Sequence, residues 1–514
     1  MHNAPADRPT LRPDLHIETR ALIDGQWRAA RDGRTFDKHS PIDGRLLARV
    51  TACSPGDVDE AVQAARAAFK RGDWSGLGPR ERRLALKTLA ELVRAHVDEL
   101  ALLDTLDMGK PLAESTEDAE DSAACIDWYA EAIDKLNDEV LPLAPHLLGM
   151  ATREPVGVVA AVVPWNYPLQ MAVWKVAPAL ATGNSVLLKP SSKSPLSALK
   201  LGQLCRAAGI PAGVFQVLPG PASIGEQLGR HMDVDCIVFT GSTQVGKAIQ
   251  RYSAESNLKR TWLELGGKSP LIIFPDCPDL AAAAENAAGS IFGNQGEVCS
   301  AASRLFVHAA IADAFIPRLV EAARTHVPGN PLDPGTTMGA LVDEAHLESV
   351  HRHVAQALRD GAALLCGGRR ACVGRGGSYY EPTILLCSRG DIAAVKEEIF
   401  GPVLTVQTFS DTEEVIRQAN DSPYGLAAGL WTGSLATAHG VARRLRAGTV
   451  FVNGWDEGSD EYCVPFGGYK QSGNGRDKSL HALEKYTEIK ATVIRLTAAS
   501  KGETAASPFN REET

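Results

Sequence analysis

Basic residues, long apolar runs and paired cysteines are all scarce in this 514-residue sequence. The 53 Lys and Arg are outnumbered by 62 Asp and Glu, giving a net charge of −9. This balance argues against nucleic acid or an anionic membrane as the main partner, because both attract basic surfaces. The longest strongly apolar run, 156–164 (VGVVAAVVP), is too short to cross a bilayer. The first twenty residues also lack the apolar core of a signal peptide.

The ten cysteines are spread singly along the chain, and none belongs to a CxxC motif. This pattern predicts free thiols in a reducing cytoplasm. Cys299 lies in 293–304 (GNQGEVCSAASR), with no second cysteine or histidine nearby, so we expect no metal there. From this stretch alone, Cys299 is a small apolar side chain, a nucleophile or an incidental residue.

Short β-rich runs alternate with helical segments in the first half of the chain, at 156–163, 185–188, 213–218, 235–240 and 260–264. This alternation predicts right-handed βαβ units and a parallel sheet. Upstream, apolar spacing predicts one helix with Asp57 as its N-cap and a longer helix through 80–104.

The alternation restarts after Gly267, which predicts a second α/β domain. Strands near 140–155 and 488–496 are expected to pair with each other and to complete the sheet of another subunit. The predicted boundaries are 20–139 and 156–266 for a cofactor-binding domain, 267–480 for a catalytic domain, 140–155 and 485–498 for oligomerisation strands, and 1–19 and 499–514 for disordered arms.

Polar residues follow several of the predicted strands, where parallel sheets bind their ligands. The loop TGSTQVG, with Gly241 and Ser242, is either a phosphate site or a helix cap made by Ser242 and Thr243. Lys189 is either a solvated turn lysine or a group that reaches ribose hydroxyls or phosphate. Their expected position on one sheet edge favours a nucleotide site.

Glu264 ends a strand that looks buried, where an unpaired carboxylate is costly. It is either a general base or the partner of Lys268 in a salt bridge. Asn166, in PWNYP, is either a donor to a developing oxyanion or an ordinary turn residue before Tyr167.

Seven motifs in this order resemble the NAD(P)-dependent aldehyde dehydrogenase superfamily over roughly 20–498: PWNYP, LLKPSS, FTGSTQVGK, LELGGK, NQGEVCSAASR, EEIFGPV and PFGGYKQSGNGRD. The resemblance implies an α/β fold with a Rossmann-type cofactor domain, a second α/β catalytic domain and a small β flap for oligomerisation. It also implies a homodimer or homotetramer.

On this resemblance, Cys299 is the nucleophile that attacks an aldehyde, and Asn166 and the Cys299 backbone N–H hold the oxyanion. Glu264 then activates water to hydrolyse a thioester. Whether Asp477, where some relatives have glutamate, shares the base role stays open. The cofactor site implied by the resemblance consists of Trp165, Lys189, Ser192, Gly241, Ser242, Gly246, Leu265, Glu398 and Phe400.

Ser192 stands where many NAD-preferring relatives carry glutamate, which repels a 2′-phosphate. We therefore predict NAD or NADP as cofactor, with NADP tolerated and with Lys193 adding positive charge nearby. The alternative is that Ser192 only caps the following helix and that NAD is preferred.

The segments WYAEAIDK and 465–490 resemble the branch that acts on ω-amino and guanidino aldehydes, including γ-glutamyl-aminobutyraldehyde. Asp118 and Asp121 lie three residues apart, either as binders of a cationic tail or as a solvated acidic face. Trp128 and Trp455 are further candidates, as an aromatic wall. The acidic segment 456–461 lies where the family has its substrate-anchoring loop.

Four alternatives remain. A broad-specificity aliphatic or aromatic aldehyde dehydrogenase would share every motif. The acylating branch, which uses coenzyme A, generally lacks the glutamate matched by Glu264. A cysteine hydrolase would leave the cofactor motifs unexplained. A non-catalytic structural or binding protein on the same fold would be free to lose Cys299, Glu264, Asn166 and Lys189, yet all four are present.

Overall fold

The structure is a computed structural model, and it describes residues 17–374, 376–456 and 461–496. Two α/β units, a small three-stranded antiparallel sheet and the antiparallel pair β3–β4 make up the fold of the described residues. The strands are β1 Ala21–Ile23, β2 Gln26–Arg28, β3 Thr35–His39, β4 Leu46–Thr51, β5 Glu139–Leu141, β6 Leu147–Pro155, β7 Val158–Val162, β8 Ser185–Lys189, β9 Phe215–Val217, β10 Cys236–Thr240, β11 Arg260–Glu264, β12 Pro270–Ile273, β13 Arg304–His308, β14 Ala363–Cys366, β15 Thr383–Leu386, β16 Val403–Phe409, β17 Ala427–Trp431, β18 Thr449–Val452 and β19 Thr487–Arg495.

Helices cover both sheets. They are α1 Pro55–Arg71, α2 Pro79–Ala95, α3 Val97–Met108, α4 Leu112–Ala132, α5 Pro168–Ala181, α6 Leu196–Ala207, α7 Ala222–Arg230, α8 Thr243–Ala254, α9 Leu280–Phe292, α10 Ala309–Arg324, α11 Glu344–Arg359, α12 Ala393–Lys396, α13 Thr412–Asn420 and α14 Leu435–Ala442. Among the described residues, none of these helices combines the length and the apolar character needed to cross a membrane.

The first sheet has the strand order β11-β10-β7-β8-β9-β1-β2 within the described chain. Strands β7 to β11 are parallel, as the sequence predicted, and β1 and β2 add an antiparallel edge. Strands β7, β8 and β10 have five residues each, and every one of these residues is buried, because helices cover both faces of the sheet. The carboxyl ends of β7, β8, β10 and β11 therefore meet at one edge.

Two predicted helix boundaries are wrong. The N-cap of α1 is Ser54, and Asp57 is the third helical residue of a capping box: the Asp57 N–H donates to the Ser54 side chain, and the Ser54 N–H donates to the Asp57 carboxylate. The helix predicted through 80–104 is two helices, α2 and α3, separated at His96. Apolar spacing continues across both, so the break is invisible to the pattern.

The second sheet has the order β14-β15-β16-β13-β12-β17-β18 in the described residues, and all of its pairs except β14–β15 are parallel. Its helices α9 and α10 pack Ala- and Phe-rich faces against β12 and β13. The restart of the alternation after Gly267 corresponds to this sheet.

A small antiparallel sheet joins two segments that are far apart in the sequence. β19 pairs with β6 along its whole length, from Thr487 opposite Pro155 to Arg495 opposite Leu147, and β5 pairs with the other side of β6. The pairing therefore matches the predicted one. Ile489, Val493 and Ile494 leave an apolar surface exposed on β19. Most of the arms predicted at 1–19 and 499–514 lies outside the described residues.

Candidate active site

A cavity of about 420 Å³ opens at the carboxyl edge of the first sheet and reaches the loop before β13. Ten of the residues predicted from sequence line it: Asp118, Asp121, Trp165, Asn166, Gly241, Ser242, Leu265, Cys299, Glu398 and Phe400. They come from both α/β units, so the cavity lies where the two units meet.

Cys299 stands in a loop with an unusual backbone. Asn294, Gln295 and Gly296 have φ of 43°, 56° and 72°, a left-handed run that costs free energy in non-glycine residues. Hydrogen bonds hold the run: the Asn294 N–H donates to Glu114 at 2.9 Å, and Gln295 Oε1 accepts from the Gly339 N–H at 2.9 Å. These hydrogen bonds hold the Cys299 loop in place.

Gly267 lets this loop approach the end of β11. A Cβ at Gly267 would collide with the Cys299 carbonyl oxygen. A Cβ at the neighbouring Gly266 would collide with the Glu398 carboxylate, whose Oε1 accepts the Gly267 N–H at 2.9 Å. The two glycines of LELGGK are therefore required by close approach.

The Cys299 thiol is half-buried. Burial, together with the nearby Glu264 and Glu398 carboxylates, raises the pKa of Cys299 well above its usual value. In this state the thiol keeps its proton at neutral pH, so nucleophilic attack by Cys299 would first require a base or a bound cation that favours the thiolate.

Asn166 follows β7 and is buried beside the loop that carries Cys299. Its Nδ2 donates to the Glu297 carbonyl oxygen at 2.7 Å, and its own carbonyl accepts from Asn294 Nδ2 at 2.9 Å. A side-chain amide has two N–H donors, so a second hydrogen is available to an oxygen in the cavity.

Glu264 ends β11 with only 5% of its surface exposed, and neither carboxylate oxygen has a hydrogen-bond partner among the described residues. Burial raises its pKa well above the usual value, while Lys175 opposes that change. The alternative of a salt bridge to Lys268 is wrong, since the Lys268 ammonium is itself buried without a partner in the described chain. An unpartnered, raised-pKa carboxyl group is suited to take up a proton.

Asp477 lines a small second cavity together with Glu264. Its carboxylate forms buried ion pairs with Lys175 and Lys485. Burial acts to raise the pKa of Asp477, but the two ammonium groups outweigh it and hold the pKa below the usual value. Asp477 is therefore ionised and occupied by two lysines.

The residues predicted for the cofactor fit a dinucleotide. Lys189, at the end of β8, is 6% exposed and has no acidic partner among the described residues. Ser242 is the N-cap of α8, with its side chain accepting from the Val245 N–H, so the cap interpretation is right for Ser242 and wrong for Thr243. A Cβ at Gly246 would lie 2.6 Å from the Leu265 side chain. The N-terminus of α8, a buried ammonium and close-packed glycines suit a nucleotide.

Ser192 does not cap the following helix. The N-cap of α6 is Pro195, and no side chain caps it. The neighbouring Lys193 reaches across to the second unit, where its ammonium lies 2.7 Å from the Asp343 carboxylate and 5.4 Å from the centre of the Trp165 ring.

The two acidic candidates on α4 differ. Asp118 is buried and forms an ion pair with Lys110, whose ammonium lies 3.5 Å from the centre of the Tyr167 ring. Asp121 is half-buried, and its backbone carbonyl accepts the Tyr462 hydroxyl at 2.6 Å. A solvated acidic face is therefore the wrong interpretation for Asp118.

The structure does not bring Trp128 or Trp455 to the cavity. Trp128 packs edge-on against Tyr129 at the core of the first unit. Trp455 is 5% exposed and packs on Gly429 and Phe451 in the second unit. Both aromatic rings are used in packing.

Twelve residues that line the cavity were not among the predicted site residues. They are Pro164, Tyr167, Gln170, Met171, Trp174, Thr240, Gly266, Val298, Ser300, Asp456, Phe466 and Lys478. A helical signal was present for Gln170 and Trp174, which lie four residues apart on α5 directly after PWNYP. Lys478 carried no local signal, and the residues that follow Asp456, 457–460 of the predicted acidic segment, lie outside the described chain.

The family model "Aldehyde dehydrogenase family" matches residues 27–492. The chain belongs to the aldehyde dehydrogenase family. It is thus an enzyme that oxidises aldehydes.

Named relatives indicate which branch of the family this chain resembles. The chain is 50% identical to the NADP/NAD-dependent aldehyde dehydrogenase PuuC of Escherichia coli strain K12, over 94% of this chain and 97% of the relative. It is 46% identical to the aminoacetaldehyde dehydrogenase of Pseudomonas aeruginosa, over 93% and 96%. The crystal structure of gamma-glutamyl-gamma-aminobutyraldehyde dehydrogenase from Burkholderia cenocepacia is 60% identical, covers 94% of this chain and 98% of its own, and has a TM-score of 0.93. These similarities match the aminoaldehyde branch of the family.

Proposed function

We propose that the protein oxidises an ω-amino or guanidino aliphatic aldehyde to the carboxylic acid with NAD⁺ or NADP⁺. The observation that carries this proposal is the meeting of Cys299, Asn166 and Glu398 in one cavity that also contains Asp118 and Asp121. Carboxylates at the cavity suit a cationic tail, and the relatives named for amino aldehydes support that class.

In the proposed mechanism, the Cys299 sulfur attacks the aldehyde carbon, and the second N–H of Asn166 donates to the oxygen that becomes negative. When bound beside Glu398 and Phe400, the nicotinamide would supply the hydride acceptor needed to oxidise this adduct to a thioester. Glu264 then removes a proton from the water that hydrolyses the thioester, which its raised pKa and free oxygens support.

Lys189, Ser242, Gly246, Glu398 and Phe400 are the proposed cofactor contacts, together with Trp165, Ser192, Gly241 and Leu265. The unpaired Lys189 ammonium supports an interaction with ribose or phosphate. Tolerance of NADP⁺ is proposed from Ser192, which brings no negative charge to the loop.

We also propose a homodimer or homotetramer in the cytoplasm, with the boundaries 20–139 and 156–266 for the cofactor domain and 267–480 for the catalytic domain. The exposed apolar residues of β19 support a partner subunit on that sheet. The absence of any disulfide among the ten cysteines supports a reducing compartment.

The test follows cofactor reduction with NAD⁺ and NADP⁺ for four aldehydes: 4-aminobutyraldehyde, 4-guanidinobutyraldehyde, γ-glutamyl-γ-aminobutyraldehyde and an uncharged aliphatic aldehyde of similar length. We expect kcat/KM to favour the nitrogen-bearing substrates, and Asp121→Asn to reduce that preference. Glu120→Gln is the matched control, because Glu120 is exposed on the same helix away from the cavity. Equal turnover of the uncharged aldehyde would support a broad-specificity aldehyde dehydrogenase instead.

A further inference from the structure

A second, much smaller cavity in the second α/β unit is lined by positive charges. It lies at the amino ends of β12, β13 and β17, has a volume of about 10 Å³ and shares no lining residue with the cavity around Cys299. Lys268, Arg304 and Arg446 line it, whereas no aspartate or glutamate of the described chain does. The ionisable groups of its wall are therefore all of one sign.

Lys268 is the most deeply buried of these cations, with 1% of its surface exposed. Its ammonium has no hydrogen-bond partner among the described residues. Burial and the like charge of Arg304 lower the pKa of Lys268 to about 7, and Glu398 opposes this change. The Glu398 carboxylate accepts the Gly267 N–H instead of binding the ammonium. A buried ammonium is unfavourable unless a partner compensates it, so Lys268 requires a counter-charge.

Arg304 is also buried, and neutral groups alone hold its guanidinium. Nε donates to the Lys268 carbonyl oxygen at 2.8 Å, Nη1 to that of Gln418 at 3.1 Å, and Nη2 to that of Ala419 at 2.8 Å. A guanidinium has five N–H donors, so two remain after these three bonds. The bonds fix the orientation of the guanidinium but leave its positive charge uncompensated.

The neighbouring groups make this region more positive. Burial lowers the pKa of Lys470, and the like charges of Arg304 and Arg446 lower it further, while Asp421 opposes them. Asp421 is exposed and forms an ion pair with Lys396. The acid on this side of the unit is thus already paired with another lysine.

The volume of the cavity limits what can compensate these charges. About 10 Å³ admits roughly one species of the size of a water molecule, so phosphate and sulfate are too large. Water brings no charge, whereas a monatomic anion accepts several N–H donors and neutralises a cation. We propose that this cavity binds a halide ion, with the Lys268 ammonium and the two remaining N–H groups of Arg304 as its donors. The exposed Arg446 attracts the ion from solvent.

The direct test is diffraction from crystals of the full-length wild type. The crystals are grown with gluconate as the main anion and soaked in bromide, and data are collected at the bromine absorption edge. We expect an anomalous peak within hydrogen-bond distance of Lys268 Nζ and the Arg304 guanidinium. Electron density at that position without an anomalous signal, as a water molecule would give, would overturn the proposal.

The solution test measures Tm while chloride replaces gluconate at constant ionic strength, so that charge screening stays the same. It compares the wild type with Lys268→Met, which removes the ammonium and keeps a similar side-chain volume. Lys70→Met is the matched control for loss of one positive charge, because Lys70 is exposed near the end of α1. We expect a saturating rise in Tm of about 2 °C or more for the wild type and Lys70→Met, and none for Lys268→Met.

Two further outcomes count against the halide site. A wild-type Tm that does not respond to chloride would overturn it, and so would an equal response in Lys268→Met. A bromide peak seen only at molar concentration, with no saturating effect of chloride on Tm, would show an adventitious ion only. If Lys268→Met does not fold, the wild-type crystal and titration still decide. Neither measurement uses turnover, so the result is independent of the proposed aldehyde substrate.

Discussion

The Asp477 carboxylate binds the Lys175 ammonium through Oδ2 and the Lys485 ammonium through Oδ1, and all three side chains are at least 96% buried. One acid thus compensates two lysines in the interior. The arrangement lies beside Glu264 in the small second cavity, so its charges also act on the Glu264 carboxyl group.

We expect Asp477→Asn to destabilise the protein by about 3–5 kcal/mol, because removing one partner leaves buried charges uncompensated. Thermal unfolding followed by circular dichroism measures the change. Glu154→Gln is the control, since it removes the exposed ion pair with Lys490 and should cost no more than about 1 kcal/mol. Equal shifts for the two variants would contradict the importance of this buried ion pair.

The raised pKa of Glu264 predicts the pH dependence of hydrolysis. Below its pKa the carboxyl group holds a proton and cannot accept another, so we expect kcat to rise as pH rises through that pKa. Glu264→Gln should lower kcat by about 10²–10⁴-fold while a burst of about one reduced cofactor per site remains. Stopped-flow absorbance measures the burst. Complete loss of the burst would show that Glu264 is needed before the thioester forms.

Lys189 predicts a pH effect on cofactor binding. Burial lowers its pKa to about 8, so the ammonium is present below that value and lost above it. The KM for NAD⁺ should therefore rise between about pH 7 and pH 9, and Lys189→Met should raise it about tenfold or more at pH 7, as expected for loss of a charged hydrogen bond. Lys189→Arg, which stays charged, should flatten the profile. A pH-independent KM in the wild type would argue against cofactor binding by this group.

The ion pair between Lys193 and Asp343 predicts cofactor preference. Asp343→Asn should free Lys193 to meet a 2′-phosphate and raise kcat/KM for NADP⁺ relative to NAD⁺ by about 3–10-fold. Asparagine also caps helices well, so the cap that Asp343 provides to α11 is kept. Steady-state kinetics with both cofactors give the ratio, and Asp391→Asn is a control at another exposed acid. If the ratio is unchanged, Lys193 does not reach the 2′-phosphate.

Sequence reasoning succeeded where local pattern determines position. Glu264 and Lys189 end parallel strands and Gly241 directly follows one, and the carboxyl ends of such strands share an edge, so their grouping was predictable. The pairing of β6 with β19 was predictable because two isolated strands needed a partner.

The rest depended on packing between distant segments. Trp455 and Asp456 are adjacent, yet Trp455 is buried against Gly429 and only Asp456 lines the cavity. This difference depends on the local direction of the backbone, which amino-acid composition does not predict. The position of Lys478 depends on its own left-handed backbone conformation. It also depends on hydrogen bonds that the residues on either side of it form with Phe466 and Tyr462 on a separate loop. Asp118 lies on α4, whereas its buried partner Lys110 precedes that helix. The two residues are therefore not at helical spacing, and the sequence pattern did not indicate their ion pair.

The pairing of β19 with β6 also sets the order in which the chain can finish folding. Val156, at the start of the first parallel sheet, donates its N–H to the Tyr486 carbonyl oxygen, and Asn184 donates to the same oxygen at 3.0 Å. These contacts cannot form until more than half of the chain has followed Asn184 out of the ribosome, a delay of tens of seconds at about 5–20 residues per second. Strand β6 must wait that long for its partner β19, and during this interval one edge of β6 stays open to pairing with other strands.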